Sequence, residues 1–317
     1  MKIGRKIAII GAGNVGATVA YTLTMSGLAS EIVLIDVNFD KARGEAMDIL
    51  QGTPLCAPVS IYAGDFAAAK GADIVIVTAG AARKPGQTRI DLAQGNIDIV
   101  KGIMPQIVEQ APEAIYIVVS NPVDVLTYAV IKACGVPEHR VIGSGTMLDT
   151  ARLRSGIAEH VGLNPKNVHG YVLGEHGDTS VVAWSTVSIA GMSMHEYCTD
   201  VCPRNNHCGN ADLMNIEKDM RTSGGKIIQF KGATFYAVSL SVRRIVECIA
   251  QDAGSIVTVS SLLRGEYGIE DVCLSIPYVI GAHGIERALT PPLPADEIEK
   301  LHISAEALKN VIRSVQI

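Results

Sequence analysis

Aromatic residues are scarce in this sequence: Phe, Trp and Tyr together make up 4% of its 317 residues. A hydrophobic core must therefore be built mainly from Val, Ile, Leu and Ala, and the 48% hydrophobic share excludes a disordered chain. Long apolar runs are missing too, since none approaches the roughly 18–20 residues of a membrane helix. The N-terminal segment has only a short apolar run, Ile7–Ile10, before a glycine-rich stretch, which is not the form of a signal peptide. We expect a soluble, cytoplasmic, globular protein.

An excess of positive charge is also lacking, because 27 Lys and Arg residues face 32 Asp and Glu residues, for a net charge of −5. Such a chain has no global electrostatic reason to bind nucleic acid or anionic membranes. We therefore expect a small-molecule ligand rather than either of these partners.

The cysteines do not form a disulfide framework, since there are seven of them, an odd number, widely spread along the chain. This favours reduced thiols. His and Cys residues do cluster at one place: His195, Cys198, Cys202, His207 and Cys208. Their spacing lacks the two matched ligand pairs of zinc sites, so we interpret the cluster as a polar surface loop and predict no metal site.

The length favours about two domains, because single cores rarely grow beyond ~250–300 residues. In the first half, short β-branched runs alternate with longer amphipathic stretches. Strands are predicted at residues 7–10, 31–35, 59–62, 73–78, 115–120 and 141–142, and helices at 15–26, 41–50, 92–110 and 123–134. Most of these strands are continuous apolar runs, as is typical of parallel strands buried on both faces. The pattern predicts an α/β fold with a doubly wound parallel sheet over residues 1–146, whose ligand binds beyond the carboxyl ends of the strands.

From residue 147 the pattern changes, and a second, α+β domain is predicted over residues 147–317. Helices are expected at 150–160, 211–230, 234–250 and 295–314, with extended runs at 167–173 and 181–188. Residues 256–263 and 272–280 flank Gly265-Glu-Tyr-Gly268 and predict an antiparallel hairpin. In the first half, Pro105 is expected to kink its helix or break it in two.

A dinucleotide site is predicted at the first strand-to-helix turn, where Gly11, Gly13 and Gly16 are spaced as GxGxxG. The glycines permit a tight turn, close approach of the backbone to a pyrophosphate, and close helix–strand packing. Asp36 follows about twenty positions later at the end of the second strand. A carboxylate there accepts hydrogen bonds from ribose hydroxyls and repels a 2′-phosphate, so NAD is preferred to NADP.

Polar residues also follow other strands, and three of them form a candidate catalytic set. Asp149 and Arg152 are three positions apart and share one helix face, whereas Arg154 points about 200° away. His176 lies in a turn bracketed by glycines, a position that exposes the ring to a cleft. Taken singly, each of these is more often a surface residue; occurring together, they indicate an active site.

Several longer motifs occur together: GAGNVG at residues 11–16, RKPGQTR at 83–89, SNPVD at 120–124, GSGTMLDTARLR at 143–154, NVHGYVLGEHGDT at 167–179 and KGATFY at 231–236. They resemble the motifs of the lactate/malate dehydrogenase family from about residue 5 to the end of the chain. The resemblance implies a Rossmann domain, a catalytic α+β domain, and reversible hydride transfer between NAD and a small 2-hydroxy acid. The residues expected to bind the cofactor are Gly11, Gly13, Val15, Gly16, Asp36, Lys41, Gly80, Ala81, Ser120, Asn121 and Ser144.

The side chains suit that chemistry. His176 is expected to give a proton to the keto oxygen and take it back in reverse, with Asp149 orienting its ring. Arg152 offers a planar two-point fork for the substrate carboxylate. Arg89 is expected to polarise the keto oxygen. The remaining substrate contacts are expected from Arg83, Asn121 and Thr234, with the loop from Arg83 to Arg89 closing as a lid.

The residues that distinguish lactate-type from malate-type members of the family point to different substrates in this sequence. Arg83 is the malate-type choice in the lid, and an unpaired cation closing over pyruvate in a dry pocket would cost several kcal/mol. Glu175, the Ala183-Trp-Ser185 run and Thr234 are lactate-type. We weigh lactate above malate; dual specificity and a non-catalytic NAD-binding protein of the same fold are the alternatives.

Arg154 and His169 match the pair that binds fructose 1,6-bisphosphate in bacterial lactate dehydrogenases. The resemblance therefore implies an allosteric homotetramer in which these cationic groups meet across a two-fold axis and a bisphosphate neutralises them.

Overall fold

The computed structural model describes residues 5–81, 88–202 and 209–317. Its first half alternates strands with helices as expected. The strands are β1 (Lys6–Ile10), β2 (Glu31–Ile35), β3 (Ser60–Ala63), β4 (Ile74–Val77), β5 (Ile115–Val118) and β6 (Val141–Gly143). The helices between them are α1 (Asn14–Ser26), α2 (Phe39–Gln51), α3 (Arg89–Gln110) and α4 (Val123–Ala133).

These six strands form a parallel sheet in the order β6-β5-β4-β1-β2-β3, with the reversal of strand order beside β1. β4 and β5 are buried along their whole length, because helices cover both faces of the sheet. The predicted α/β, doubly wound sheet is confirmed. Pro105 lies inside α3, which runs without a break from Arg89 to Gln110, so Pro105 does not divide the helix in two, and the alternative that it kinks the helix stays a prediction.

The second half contributes α5 (Met147–Val161), β7 (Val168–Leu173), β8 (Val181–Ile189), β9 (Met192–Ser193), α6 (Met194–Glu196), α7 (Asn210–Lys231), α8 (Tyr236–Gln251), β10 (Ser255–Arg264), β11 (Glu270–Gly281), β12 (Gly284–Ala288) and α9 (Ala295–Arg313). β7, β8 and β9 form a small antiparallel sheet with its own apolar cluster. The predicted hairpin is present as the antiparallel pair β10–β11.

The hairpin also extends the first sheet, which the sequence did not predict. β10 pairs antiparallel with β6 at Ser260 and Gly143, so that β10, β11 and β12 continue the parallel strands into one nine-stranded sheet. A second bridge joins Gly174, directly after β7, to Ser275 of β11. The turn that contains His176, called the catalytic turn below, is therefore joined to the sheet whose first strand precedes the glycine-rich turn.

Cys198 forms a disulfide, so the prediction of reduced thiols is wrong for this residue, because sequence spacing does not show which groups a thiol meets in the fold. The free thiols of the described residues are Cys56, Cys134, Cys202, Cys248 and Cys273. His207 and Cys208 lie outside the described residues. Within the described ranges, every helix is too short or too polar to cross a membrane.

Candidate active site

The glycine-rich turn has the close packing that its sequence predicts. Gly11 adopts a φ of +103°, and a Cβ there would lie 2.8 Å from the backbone nitrogen of Ala79. A Cβ on Gly16 would overlap the carbonyl oxygen of Gly11, because α1 packs directly against the end of β1. Gly13 precedes α1 and has open space where its Cβ would be. The turn thus leaves a path for a pyrophosphate at the positive end of α1.

Asp36 closes the other side of this turn. Its Oδ2 accepts a hydrogen bond of 2.6 Å from the Ala12 N–H, and its Oδ1 accepts one of 2.8 Å from the Asn38 N–H. A cavity of about 610 Å³ opens beside it, with mostly apolar walls. The predicted residues that line it are Gly11, Gly13, Asp36, Gly80 and Ala81. A mostly apolar slot with the Asp36 carboxylate beside the glycine-rich turn fits an adenosine, so the residues present suit NAD.

A second cavity of about 310 Å³ lies between the two halves of the chain. Its walls bring together many predicted residues: Val15, Asn121, Ser144, Asp149, Arg152, His176 and Thr234. Val15 lies in the first turn of α1 and is a predicted cofactor-binding residue. Predicted cofactor-binding and catalytic residues therefore line the same cavity. Asp149 is the centre of the polar wall. Its Oδ2 lies 2.5 Å from His176 Nδ1, and its Oδ1 accepts a hydrogen bond of 3.1 Å from Arg152 Nη1.

Charge and burial oppose each other at this wall. Burial by itself lowers the pKa of His176, but the Asp149 carboxylate and its hydrogen bond outweigh it, and the pKa lies above its ordinary value. Burial likewise acts to raise the pKa of Asp149, and the His176 ring and Arg152 bring it below its ordinary value. Asp149 is thus held as a carboxylate and His176 as a proton carrier. The His176 side chain is 21% exposed, which leaves its ring open to the cavity.

A second buried acid, Asp124 of α4, lies behind His176 and was not predicted as a site residue. Its Oδ2 accepts a hydrogen bond of 2.9 Å from the His176 N–H. Burial raises the pKa of Asp124 to about 6. The signal in the sequence was an acid within the apolar helix that follows Asn121-Pro122, where a core position is normally apolar.

Asn96 of α3 was also missed. It is 1% exposed, and its amide connects two loops that line the two cavities, one through Ala81 and one through Asn121. Its Oδ1 accepts a 2.7 Å hydrogen bond from the Ala81 N–H, and its Nδ2 donates one of 2.7 Å to the Asn121 carbonyl oxygen. Ser120 stabilises the loop that contains Ala81, since its Oγ donates a hydrogen bond of 2.6 Å to the Ala79 carbonyl oxygen. Ser120 is thus a buried support in this structure.

Other predicted residues lie elsewhere. Lys41 is exposed on α2 and is not among the described residues that line either cavity. Arg154 lies half-buried beside Tyr171, away from the substrate cavity that Arg152 lines. His169 is exposed on β7. Arg83 lies outside the described residues, and Arg89 is the first residue of α3, of whose side chain the structure says nothing.

Comparison with known proteins decides the family. Residues 5–143 match the model of the lactate/malate dehydrogenase NAD-binding domain, and residues 146–316 match the model of the alpha/beta C-terminal domain of the same family. The chain belongs to the lactate/malate dehydrogenase family. NAD is accordingly its cofactor, as the glycine turn and Asp36 indicate.

Individual members of this family are similar to the chain over their whole length. The L-lactate dehydrogenase of Acetivibrio thermocellus is 50% identical and covers 100% of this chain and 99% of its own. That of Thermoanaerobacterium saccharolyticum is 49% identical and covers 98% of this chain and 99% of its own. Among solved structures, the minor L-lactate dehydrogenase from Enterococcus mundtii, in a ligand-bound form, matches with a TM-score of 0.95 at 38% identity and covers 100% of both chains.

Proposed function

We propose that this member of the family is an NAD-dependent L-lactate dehydrogenase that interconverts pyruvate and L-lactate, with His176 as the group that gives and takes the proton. The observation that carries the proposal is the cavity wall formed by His176, Asp149 and Arg152. It faces the same cavity as Val15, which lies in α1 directly after the glycine-rich turn. Relatives of 49–50% identity that carry the name L-lactate dehydrogenase support the choice of substrate.

Bound NADH supplies the reducing equivalent to the carbonyl carbon, and the residues of the chain handle charge and protons. Since His176 Nδ1 is engaged by Asp149, its Nε2 is the ring atom left to donate to the keto oxygen. Arg152 has one guanidinium nitrogen on Asp149 and is 16% exposed, so the rest of its fork is available to a carboxylate. Asn121 and Thr234 complete the pocket, and Arg89 is assigned to polarise the keto oxygen.

The direct test is NADH oxidation with pyruvate, followed by kcat/KM for pyruvate and oxaloacetate side by side. We expect a higher value for pyruvate, and no turnover of either acid would favour a non-catalytic NAD-binding protein.

Arg83 is the one residue that favours malate chemistry. Arg83→Gln is expected to raise kcat/KM for pyruvate and lower it for oxaloacetate, because it removes a cation that only the second carboxylate would neutralise. An unchanged ratio would place Arg83 outside the closed pocket.

We also propose that the protein works as a homotetramer in the cytoplasm, in fermentative glycolysis. Large apolar side chains are exposed on helices α1, α2 and α8, of which α1 packs against both others. They include Tyr21, Met25, Met47, Tyr236 and Leu240, each at least half exposed. A monomer seldom exposes so many large apolar side chains on neighbouring helices, and a second copy of the chain would cover them. Sedimentation analysis tests this, and a monomer at micromolar concentration would contradict it.

Activation by fructose 1,6-bisphosphate is the regulatory part of the proposal. Arg154 and His169 come from α5 and β7, which pack together. Among the described residues, no acidic side chain forms an ion pair with Arg154, and burial lowers its pKa. A bisphosphate would supply the missing anion. We expect activation to be lost in the Arg154→Ala/His169→Ala double variant. Activation that persists in that variant would contradict the assignment.

A further inference from the structure

We propose that Ser304 of the C-terminal helix α9 is a positioning residue for His176, which it holds through a closed ring of hydrogen bonds that begins and ends on Glu175. This inference rests on the proposed role of His176. Ser304 is fully buried, and its hydroxyl lies under the catalytic turn rather than in the substrate cavity. It therefore acts through the turn and not on the substrate.

The ring is set by the contacts of the Ser304 hydroxyl. Its Oγ accepts a hydrogen bond of 2.8 Å from the Glu175 N–H, and it lies 3.1 Å from Thr179 Oγ1. Thr179 Oγ1 in turn donates to Glu175 Oε2 over 2.5 Å. The Thr179 N–H reaches the same carboxylate oxygen at 3.3 Å.

The chemistry of the end groups sets the direction of every bond. A backbone N–H only donates and a carboxylate only accepts. Since the Thr179 hydroxyl proton is committed to Glu175 Oε2, the proton between the two hydroxyls must come from Ser304. The sequence of donation is thus Glu175 N–H to Ser304, Ser304 to Thr179, and Thr179 to the Glu175 carboxylate. Hydrogen bonds ordered head to tail strengthen one another, and the charged end makes the last of them strong.

The ring fixes the residue that precedes His176. Gly174, with a φ of +85°, passes so close to α9 that a Cβ there would lie 2.7 Å from Ser304 Oγ. The Gly174 N–H donates to the Ser275 carbonyl oxygen over 2.9 Å, and the His176 N–H donates to Asp124. The Glu175 N–H lies between these two anchored N–H groups and is itself held by Ser304. Without the Ser304 hydroxyl, the peptide at Glu175 can rotate between Gly174 and His176 and carry the His176 ring away from Asp149.

The first experiment compares Ser304→Ala with wild type in pyruvate reduction. We expect kcat to fall by about tenfold to a hundredfold, the range produced by small misplacements of a catalytic group. The KM for pyruvate and the Kd for NADH should stay within about threefold, because Arg152 and the cofactor turn are not in the ring. The pH above which reduction declines should move down, since His176 held less firmly against Asp149 has a lower pKa.

Two matched controls separate positioning from general loss of structure. Ser239→Ala removes another fully buried serine, on α8, whose hydroxyl donates only to its own helix at the Phe235 carbonyl oxygen over 2.6 Å. It is expected to leave kcat and the pH profile unchanged. Thr179→Val opens the ring at another point and should lower kcat in the same way, while Thr179→Ser keeps the hydroxyl and should restore it.

The double variant gives the sharpest result. Because a ring is broken once only, Ser304→Ala/Thr179→Val should lose little more kcat than the worse single variant. Should Ser304→Ala fail to fold, the Thr179→Val and Thr179→Ser pair carries the same test. A kcat within twofold of wild type in Ser304→Ala, or equal effects of Thr179→Val and Thr179→Ser, would overturn the proposal. Wild-type protein that does not turn over pyruvate would instead overturn the proposed function.

Discussion

Replacing Asp149 by Asn tests the central contact of the site while keeping its shape. The wild-type carboxylate serves two donors, His176 Nδ1 at 2.5 Å and Arg152 Nη1 at 3.1 Å. The asparagine amide has a single oxygen, so one of these two donors would face an NH₂ group. Neutralising one partner of a buried ion pair costs about 3–5 kcal/mol. At about 1.4 kcal/mol per tenfold change in rate, kcat/KM for pyruvate is expected to fall by ~10²–10⁴.

The same substitution should also shift the pH dependence of turnover in a definite direction. In the wild type the carboxylate holds the pKa of His176 above its ordinary value, so the protonated ring needed for pyruvate reduction persists to higher pH. Asp149→Asn removes the largest influence that raises this pKa, while burial, the largest influence overall, still lowers it. Reduction should therefore decline at lower pH than in the wild type, and lactate oxidation, which needs the neutral ring, should extend to lower pH.

The assay is NADH oxidation across pH, with NADH affinity measured separately by fluorescence. Asp271→Asn is a matched control, because Asp271 is also paired, with Lys132 at 2.8 Å, but lies outside the site. It should leave kcat/KM unchanged. If Asp149→Asn keeps kcat/KM within a few-fold and the same pH profile, Asp149 does not set the protonation of His176 and the reasoning is refuted.

Three further changes have definite expected results. Asp36→Asn keeps an acceptor for the Ala12 N–H but removes the charge, so the preference for NADH over NADPH in kcat/KM should fall by at least about tenfold; an unchanged ratio would show that Asp36 does not face the ribose. Asp124→Ala leaves the buried His176 N–H unpaired and should cost about 1–3 kcal/mol in unfolding free energy measured with urea, with a fall in kcat; wild-type values of both would contradict this. Gly225→Ala, in the interior of α7 with open space around its Cβ, should raise the unfolding free energy by about 1 kcal/mol, and a decrease would mean that α7 needs a flexible residue there.

The sequence predicted the first half of the fold well because its signals are local. A strand buried on both faces must be a continuous apolar run, and a glycine turn between strand and helix has its own spacing, so both can be identified from a few adjacent residues. Of the two effects expected of Pro105, the break in the helix does not occur. α3 continues through the proline because tertiary packing of its buried face outweighs the loss of one hydrogen bond.

The antiparallel extension of the sheet could not be predicted from such signals. Pairing of β10 with β6 joins Ser260 to Gly143, residues more than a hundred positions apart, and no local pattern specifies that neighbour. The same holds for the residues that support the site. Asn96 looks like an ordinary polar residue within a helix, and Asp124 is marked only as an acid in an apolar helix; in neither case does the sequence show the backbone N–H that the side chain accepts from.

His176 shows why those distant pairings matter for chemistry. Its ring is held by Asp149 of α5, its own N–H by Asp124 of α4, and the residue before it by Ser304 of α9. These three helices lie in different parts of the chain, and their packing in the fold brings them to one turn. The glycine-rich turn after β1 and Asp36 after β2, where we propose that NADH binds, take no part in these three hydrogen bonds. A substitution that shifts α9 against α4 should therefore lower kcat before it weakens NADH binding, even when it lies far from the substrate.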